Sequence, residues 1–284
     1  MSLTIKNTLL VAEREFLNLL NSRLVLIIMA LYFIEFISFV FVVIYPFNGI
    51  PPIISNTKNP AHYISCMMAY SLCWFGSIVA VVLGFTSISE ELDRNALNTL
   101  IVKPLYRDTI INGKMLGTLV FAICLFLLTI SLYIMFILVY YGLIVSSSLM
   151  LLVTYISSFL GHLPLVLVLT LLCFFFFYAL SILYALLFKN QSFALFMGIF
   201  SWIILFCILG SYAFSSMIGT FFNDVSLGKM IGGLSIYTIL YYILGNYDLG
   251  SALRNCGQEF FTLSLYCFIS LISAYVVFLK RDIS

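Results

Sequence analysis

Six stretches of the chain lack the regular alternation of apolar and polar positions that marks an element with one face in water. They cover residues 24–45, 63–88, 115–139, 165–188, 193–214 and 260–279. A helix needs roughly 20 predominantly apolar residues to cross the hydrocarbon core of a bilayer, so each stretch predicts one transmembrane span. Two further apolar runs, 149–160 and 231–244, fall short of that length and predict interfacial or re-entrant pieces.

A different pattern precedes the first span. Ile5, Leu9, Ala12, Phe16 and Leu19 recur at steps of four and three, with Lys6, Glu13, Asn18 and Asn21 between them. This predicts an amphipathic helix over residues 1–23, lying along the membrane face with its charges toward water. A polar extension of the first span is the alternative. The first apolar run starts too late, and is too long, for a cleaved signal, so it is expected to be a retained span.

Composition agrees with a membrane location. The chain is 63% hydrophobic and 8% charged, where a soluble domain carries roughly 25% charged residues. A water-soluble surface cannot be made from this, and residues 1–284 are read as a single transmembrane domain. The net charge of +2 and the lack of any basic stripe exclude nucleic acid as a partner.

Charge distribution carries more information than charge sum. With a cytoplasmic N-terminus and six spans, ten of the 13 Lys and Arg residues lie on the cytoplasmic side. This asymmetry places both termini in the cytoplasm of a multi-pass protein. Lys114, Lys280 and Arg281 then stand at span ends, where they are expected to anchor among lipid headgroups.

The connection between spans two and three, SISEELDRNALNTLIVKPLYRDTIINGKMLG from Ser87, holds eight of the 24 charged residues (13 basic and 11 acidic). Ser87 and Glu90 have capping-box spacing, and Glu90 with Arg94 has the favourable acid-before-base spacing of four. Leu97, Leu100 and Ile101 form an apolar stripe, and Pro104 lacks the N–H needed to continue a helix. A short cytoplasmic docking helix, a proline break and a return to the membrane at Gly113 and Lys114 are expected.

Taken in order, five features resemble the ABC-2-type transporter permeases, of the type V exporter-like class. They are AEREFLNLLNSR before span one, the Glu-rich segment with Arg94 and Leu97, KPLYR around Pro104, the Gly113–Lys114 pair, and FLKRD after span six. The resemblance covers nearly the whole chain. It implies an all-α, six-transmembrane-helix bundle with an N-terminal elbow helix (1–23), a cytoplasmic coupling helix between spans two and three (89–112) and an outer gate-like segment (215–258). By position, Glu90, Glu91, Arg94, Leu97, Leu100, Lys103, Pro104 and Arg107 inherit the ATPase-coupling role. The implied partners are an ABC ATPase subunit, a second permease subunit in a homo- or heterodimer, and membrane lipid, with export across the plasma membrane as the expected activity.

No GxxxxGK[ST] phosphate loop occurs in the sequence, so ATP and Mg are expected on the partner ATPase and no cofactor on this chain. The seven cysteines are scattered, without CxxC spacing, and read as apolar packing. His62 and His162 both fall near prolines on the outer side, which provides no evident metal set, and His162 with Pro164 marks either an outer gate or, the favoured reading, a helix start.

Two other functions compete. A membrane-embedded enzyme is poorly provisioned: Glu90, Glu91 and Arg94 only approach an EExxxR pattern, and neither HExxH nor GxSxG is present. A secondary transporter or channel would need an ionisable group within the spans, and Glu35, halfway along the first, is the clear candidate. Such a carboxyl serves either the transport pathway or a bond to a neighbouring helix. The outer segment 215–258, rich in Gly and Tyr, predicts turns and short helices at headgroup level.

Overall fold

The computed structural model describes residues 3–44, 60–93, 107–140, 149–188, 190–246 and 248–280, and these are helical with no strand among them. In chain order the helices are α1 (Leu3–Asn21), α2 (Arg23–Ile44), α3 (Pro60–Asp93), α4 (Arg107–Tyr140), α5 (Leu149–Leu187) and α6 (Gln191–Trp202). A π-helical stretch, Ile203–Ile208, continues α6. Four short helices follow, α7 (Tyr212–Phe221), α8 (Val225–Gly233), α9 (Ile236–Leu244) and α10 (Leu249–Asn255), before the final α11 (Gly257–Lys280).

Among the described residues six helices are long and apolar enough to cross a membrane: α2, α3, α4, α5, α6 with its π stretch, and α11. All six expected spans are present. The run 149–160 corrects the sequence reading, because it forms the first turns of α5 and is no separate interfacial piece. His162 and Pro164 read as a helix start, yet the helix runs through both. Proline inside a membrane helix is tolerated where neighbouring helices re-satisfy the freed backbone groups. The run 231–244 lies across α8 and α9, which bend by 78° at their junction, as a broken span or re-entrant loop does.

The centre of the bundle is the α3–α5 pair, the most extensive helix contact among the described residues. Lipid tails are as apolar as leucine, so association within a bilayer depends on close packing and interhelical hydrogen bonds. Both occur here. A Cβ added at Gly84 would sit 2.5 Å from the Tyr178 carbonyl oxygen, so only glycine lets α5 approach. Beside it the Ser181 hydroxyl donates to the Val81 carbonyl at 2.6 Å. On the other flank of α3, Trp202 Nε1 donates to Ser77 Oγ at 2.7 Å, and the Trp74 and Trp202 rings meet edge to face with centroids 4.7 Å apart. These bonds give α6 its register on α3.

Helix α1 ends at Ser22, whose hydroxyl bonds back to the Leu19 carbonyl at 2.8 Å. It packs mainly against α4. Of the predicted apolar stripe, Ala12 and Leu19 are buried and Phe16 half-buried, whereas Ile5 and Leu9 remain exposed. They line a cavity of about 630 Å³ shared with Met115 and Leu119 of α4, Phe175 of α5 and Leu271 of α11.

Candidate functional site

The charged connection leaves α3 at Asp93 and rejoins the bundle at Arg107. Glu90 and Glu91 stand in the last turn of α3 and Arg107 opens α4. Arg94, Leu97, Leu100, Lys103 and Pro104 lie outside the described residues. The expected capping box does not start a helix: α3 runs unbroken past Ser87, whose hydroxyl donates to the Gly84 carbonyl at 3.0 Å. A serine inside a helix can bond back one turn in this way, and then has no cap to make.

Lys114 defines the base of this connection. It was expected among headgroups; instead it is buried, with Nζ 3.4 Å from Glu15 Oε2 of α1 and donating to the Ser87 carbonyl of α3 at 2.7 Å. One ammonium therefore joins α1, α3 and its own helix α4. The close approach that makes this possible comes from the glycines on either side. A Cβ at Gly113 would lie 2.6 Å from Val11 Cβ, and one at Gly117 would lie 2.7 Å from the Ala12 carbonyl oxygen. Gly113 and Gly117, four apart on one face of α4, thus form a small-residue groove for α1. Sequence reasoning picked out the Gly113–Lys114 pair but missed Glu15, which falls on the buried side of α1 within an otherwise amphipathic pattern.

A helical bundle with a separate N-terminal helix, and a charged connection springing from a fixed base, narrows the range of families. The family described as ABC-2 family transporter protein matches residues 9–283. The chain belongs to that family. No curated protein matches the chain. As an ABC-2 transporter protein it is a multi-pass membrane component of a transport system, and the family normally works with an ATPase subunit.

Within the ABC-2 bundle a second polar group surrounds Glu35, which is almost completely buried on α2. The Tyr133 hydroxyl of α4 donates to Glu35 Oε1. Ser71 of α3 approaches the same tyrosine, with its Oγ 3.1 Å from the hydroxyl. Phe36 and Phe39 flank the Tyr133 ring, with centroids 5.4 Å and 4.8 Å away. Glu35 Oε2 and the buried Tyr32 hydroxyl have no hydrogen-bond partner among the described residues. The arrangement joins α2, α3 and α4 and keeps acceptor capacity in reserve.

The outer segment is built from capped short helices. Ser211, Asp224, Ser235 and Asp248 each accept a backbone N–H at the start of α7, α8, α9 and α10 in turn. Short helices thus occur where Gly-punctuated short helices were expected. Hydrogen bonds from Ser251 hold the Asp248 carboxyl below its usual range, and those from Ser226 do the same for Asp224. Lys280 is exposed in the last turn of α11, opposite in sequence to Glu259 in its first turn, so both charges complement the helix dipole. Arg281 lies outside the described residues.

Proposed function

We propose that this chain is the pathway-forming permease subunit of an ATP-driven exporter of the plasma membrane, with both termini in the cytoplasm. It pairs with a second permease subunit, and ATP and Mg are bound by a separate ATPase that docks on the α3–α4 connection. The Lys114 junction carries this reading. A push on a connection that leaves from a base clamped to α1, α3 and α4 moves three elements together, as the transmission of motor closure into a bundle requires. Glu90, Glu91, Arg94, Leu97, Leu100, Lys103, Pro104 and Arg107 form the docking surface, and α1 serves as the elbow helix at the cytoplasmic face. A secondary transporter built on Glu35 fits less well, since among the described residues one carboxyl bonded to one tyrosine makes a short relay.

Co-purification and ATPase assays with a phosphate-loop ATPase co-expressed with the chain test the proposal. Charge reversal at Glu91 or Arg94, or Pro104→Ala, is expected to weaken ATPase association or substrate-stimulated hydrolysis while membrane insertion stays intact. Unchanged association and transport in all three variants would overturn the coupling assignment.

A further inference from the structure

His62 and Cys66 are four residues apart near the start of α3, so both side chains lie on one face of the helix. His162 comes from α5, a hundred residues along the chain. The fold brings one potential ligand atom from each within 4.8 Å of the others. Cys66 Sγ is 3.6 Å from His62 Nε2, and the two imidazoles meet edge to face with centroids 4.9 Å apart.

The tautomer of His162 follows from its neighbour. Its Nε2 lies 2.9 Å from the Asn246 backbone carbonyl, which can only accept, so Nε2 must carry the hydrogen. The lone pair is then on Nδ1. His162 is 1% exposed, and Nδ1 has no hydrogen-bond partner among the described residues. A buried unpaired acceptor is costly. Metal-ligating histidines almost always direct their other N–H to a carbonyl or carboxylate in this way.

We infer that His62, Cys66 and His162 form a site for a d¹⁰ transition-metal ion, Zn²⁺ or Cu⁺, at the end of the bundle opposite the ATPase-docking connection. Thiolate and imidazole together suit these two ions and not Mg²⁺ or Ca²⁺. Around Zn²⁺, bond lengths of ~2.0 Å to nitrogen and ~2.3 Å to sulfur set ligand atoms roughly 3.3–3.6 Å apart, close to the Cys66–His62 separation. Three protein ligands leave a tetrahedral ion one further position. On binding, the Cys66 thiol gives up its proton to solvent, one per ion, and its present 3.2 Å bond to the Leu244 carbonyl is exchanged for the metal–sulfur bond. Leu244 ends α9 and Asn246 follows it, so the ion would tie α3 to α5 beside the outer segment, which stays bonded to α5 through the His162–Asn246 contact.

The test uses the purified full-length chain in detergent and needs no ATPase, so its outcome is independent of the exporter reading. Titration with Co²⁺, the spectroscopic probe for a Zn²⁺ site, is expected to give one ion per chain and a near-ultraviolet thiolate-to-metal charge-transfer band that Zn²⁺ displaces. Competition against a colorimetric Cu⁺ chelator forms the second arm, and the tighter ion identifies the occupant. Cys66→Ser should abolish the band, and His162→Gln should weaken binding at least tenfold. Cys256→Ser should change neither. Should the variants fail to fold, alkylation of Cys66 in the wild-type protein decides: the bound ion must slow it at least tenfold relative to Cys124. Absence of stoichiometric binding of either ion, a band that survives Cys66→Ser, or unprotected Cys66 would each overturn the site.

Discussion

The ammonium of Lys114 on α4 lies 3.4 Å from the carboxylate of Glu15 on α1, and the pair is separated by 99 positions in the chain. Both side chains are shielded, at 9% and 13% exposure, so water screens their attraction little. Removing one partner of such a pair leaves a charge uncompensated, which costs about 3–5 kcal/mol in a deep interior and less here, where the Glu15 side chain keeps 13% of its exposure. Lys114→Met is therefore expected to lower stability by about 2–4 kcal/mol. Combined with Glu15→Gln it should lose less than the sum of the single variants, with a coupling energy of about 1–3 kcal/mol. Thermal denaturation of the four proteins in detergent measures this directly, and strict additivity would show that the two residues act separately.

Gly117 governs how closely α1 can dock. A methyl group there would meet the Ala12 carbonyl oxygen at 2.7 Å, a backbone atom that cannot swing aside. Gly117→Ala is expected to destabilise the bundle by about 1–3 kcal/mol, as overpacking does, despite alanine's better helix propensity. Gly233→Ala is the control, because a Cβ at Gly233 meets nothing within 4 Å. Limited proteolysis should find α1 released in the first variant alone. Equal resistance in both would remove Gly117 from the docking groove.

The spans were legible because a bilayer imposes a length of about 20 apolar residues, and no packing detail can cancel that requirement. The pairings that organise the bundle were not. Glu15 with Lys114, Tyr133 with Glu35 and His62 with His162 join positions about a hundred residues apart, and one sequence carries no record of which distant residues meet. Local signals also misled. His162 and Pro164 read as the start of a span, but once α5 lies against α3 the tertiary contacts outweigh the cost of interrupting its backbone bonds. Ser87 and Glu90 matched a cap spacing inside a helix that was already under way. The π stretch at Ile203–Ile208, where the Leu209 N–H reaches the Ile204 carbonyl, leaves no trace in an all-apolar run.

Acidity should loosen the outer segment. Asp248 caps α10 reciprocally with Ser251, and these bonds hold its carboxyl below the ordinary aspartate value of about 3.9. A depressed value in the folded state means that the stabilisation is present above about pH 4 and is lost as pH falls through the lowered value. Protection of α10 against hydrogen exchange, referred to the intrinsic rate at each pH, is therefore expected to fall below about pH 4 and, at neutral pH, in Asp248→Ala. Exchange in α3 should be unaffected by the substitution. A pH-independent α10 would show that its packing on α5 and α11, and not its cap, holds it in place.

Glu35 tests whether a buried carboxyl serves transport or only packing. Its Oε1 accepts from Tyr133, while Oε2 is buried without a partner among the described residues. A group kept only to hold α2 on α4 would need one acceptor, and glutamine supplies that acceptor with the same shape. Glu35→Gln is thus expected to leave the melting temperature within a few degrees of wild type. If Oε2 receives a donor from passing cargo, the same variant must lower transport severalfold, since the amide N–H₂ cannot accept. Tyr133→Phe separates the two roles from the other side: losing a buried donor to an acceptor should cost about 1–3 kcal/mol of stability, whatever happens to transport. Transport in proteoliposomes, measured beside thermal stability for both variants, gives two independent readings. Full transport by Glu35→Gln would assign the carboxyl to the α2–α4 contact alone.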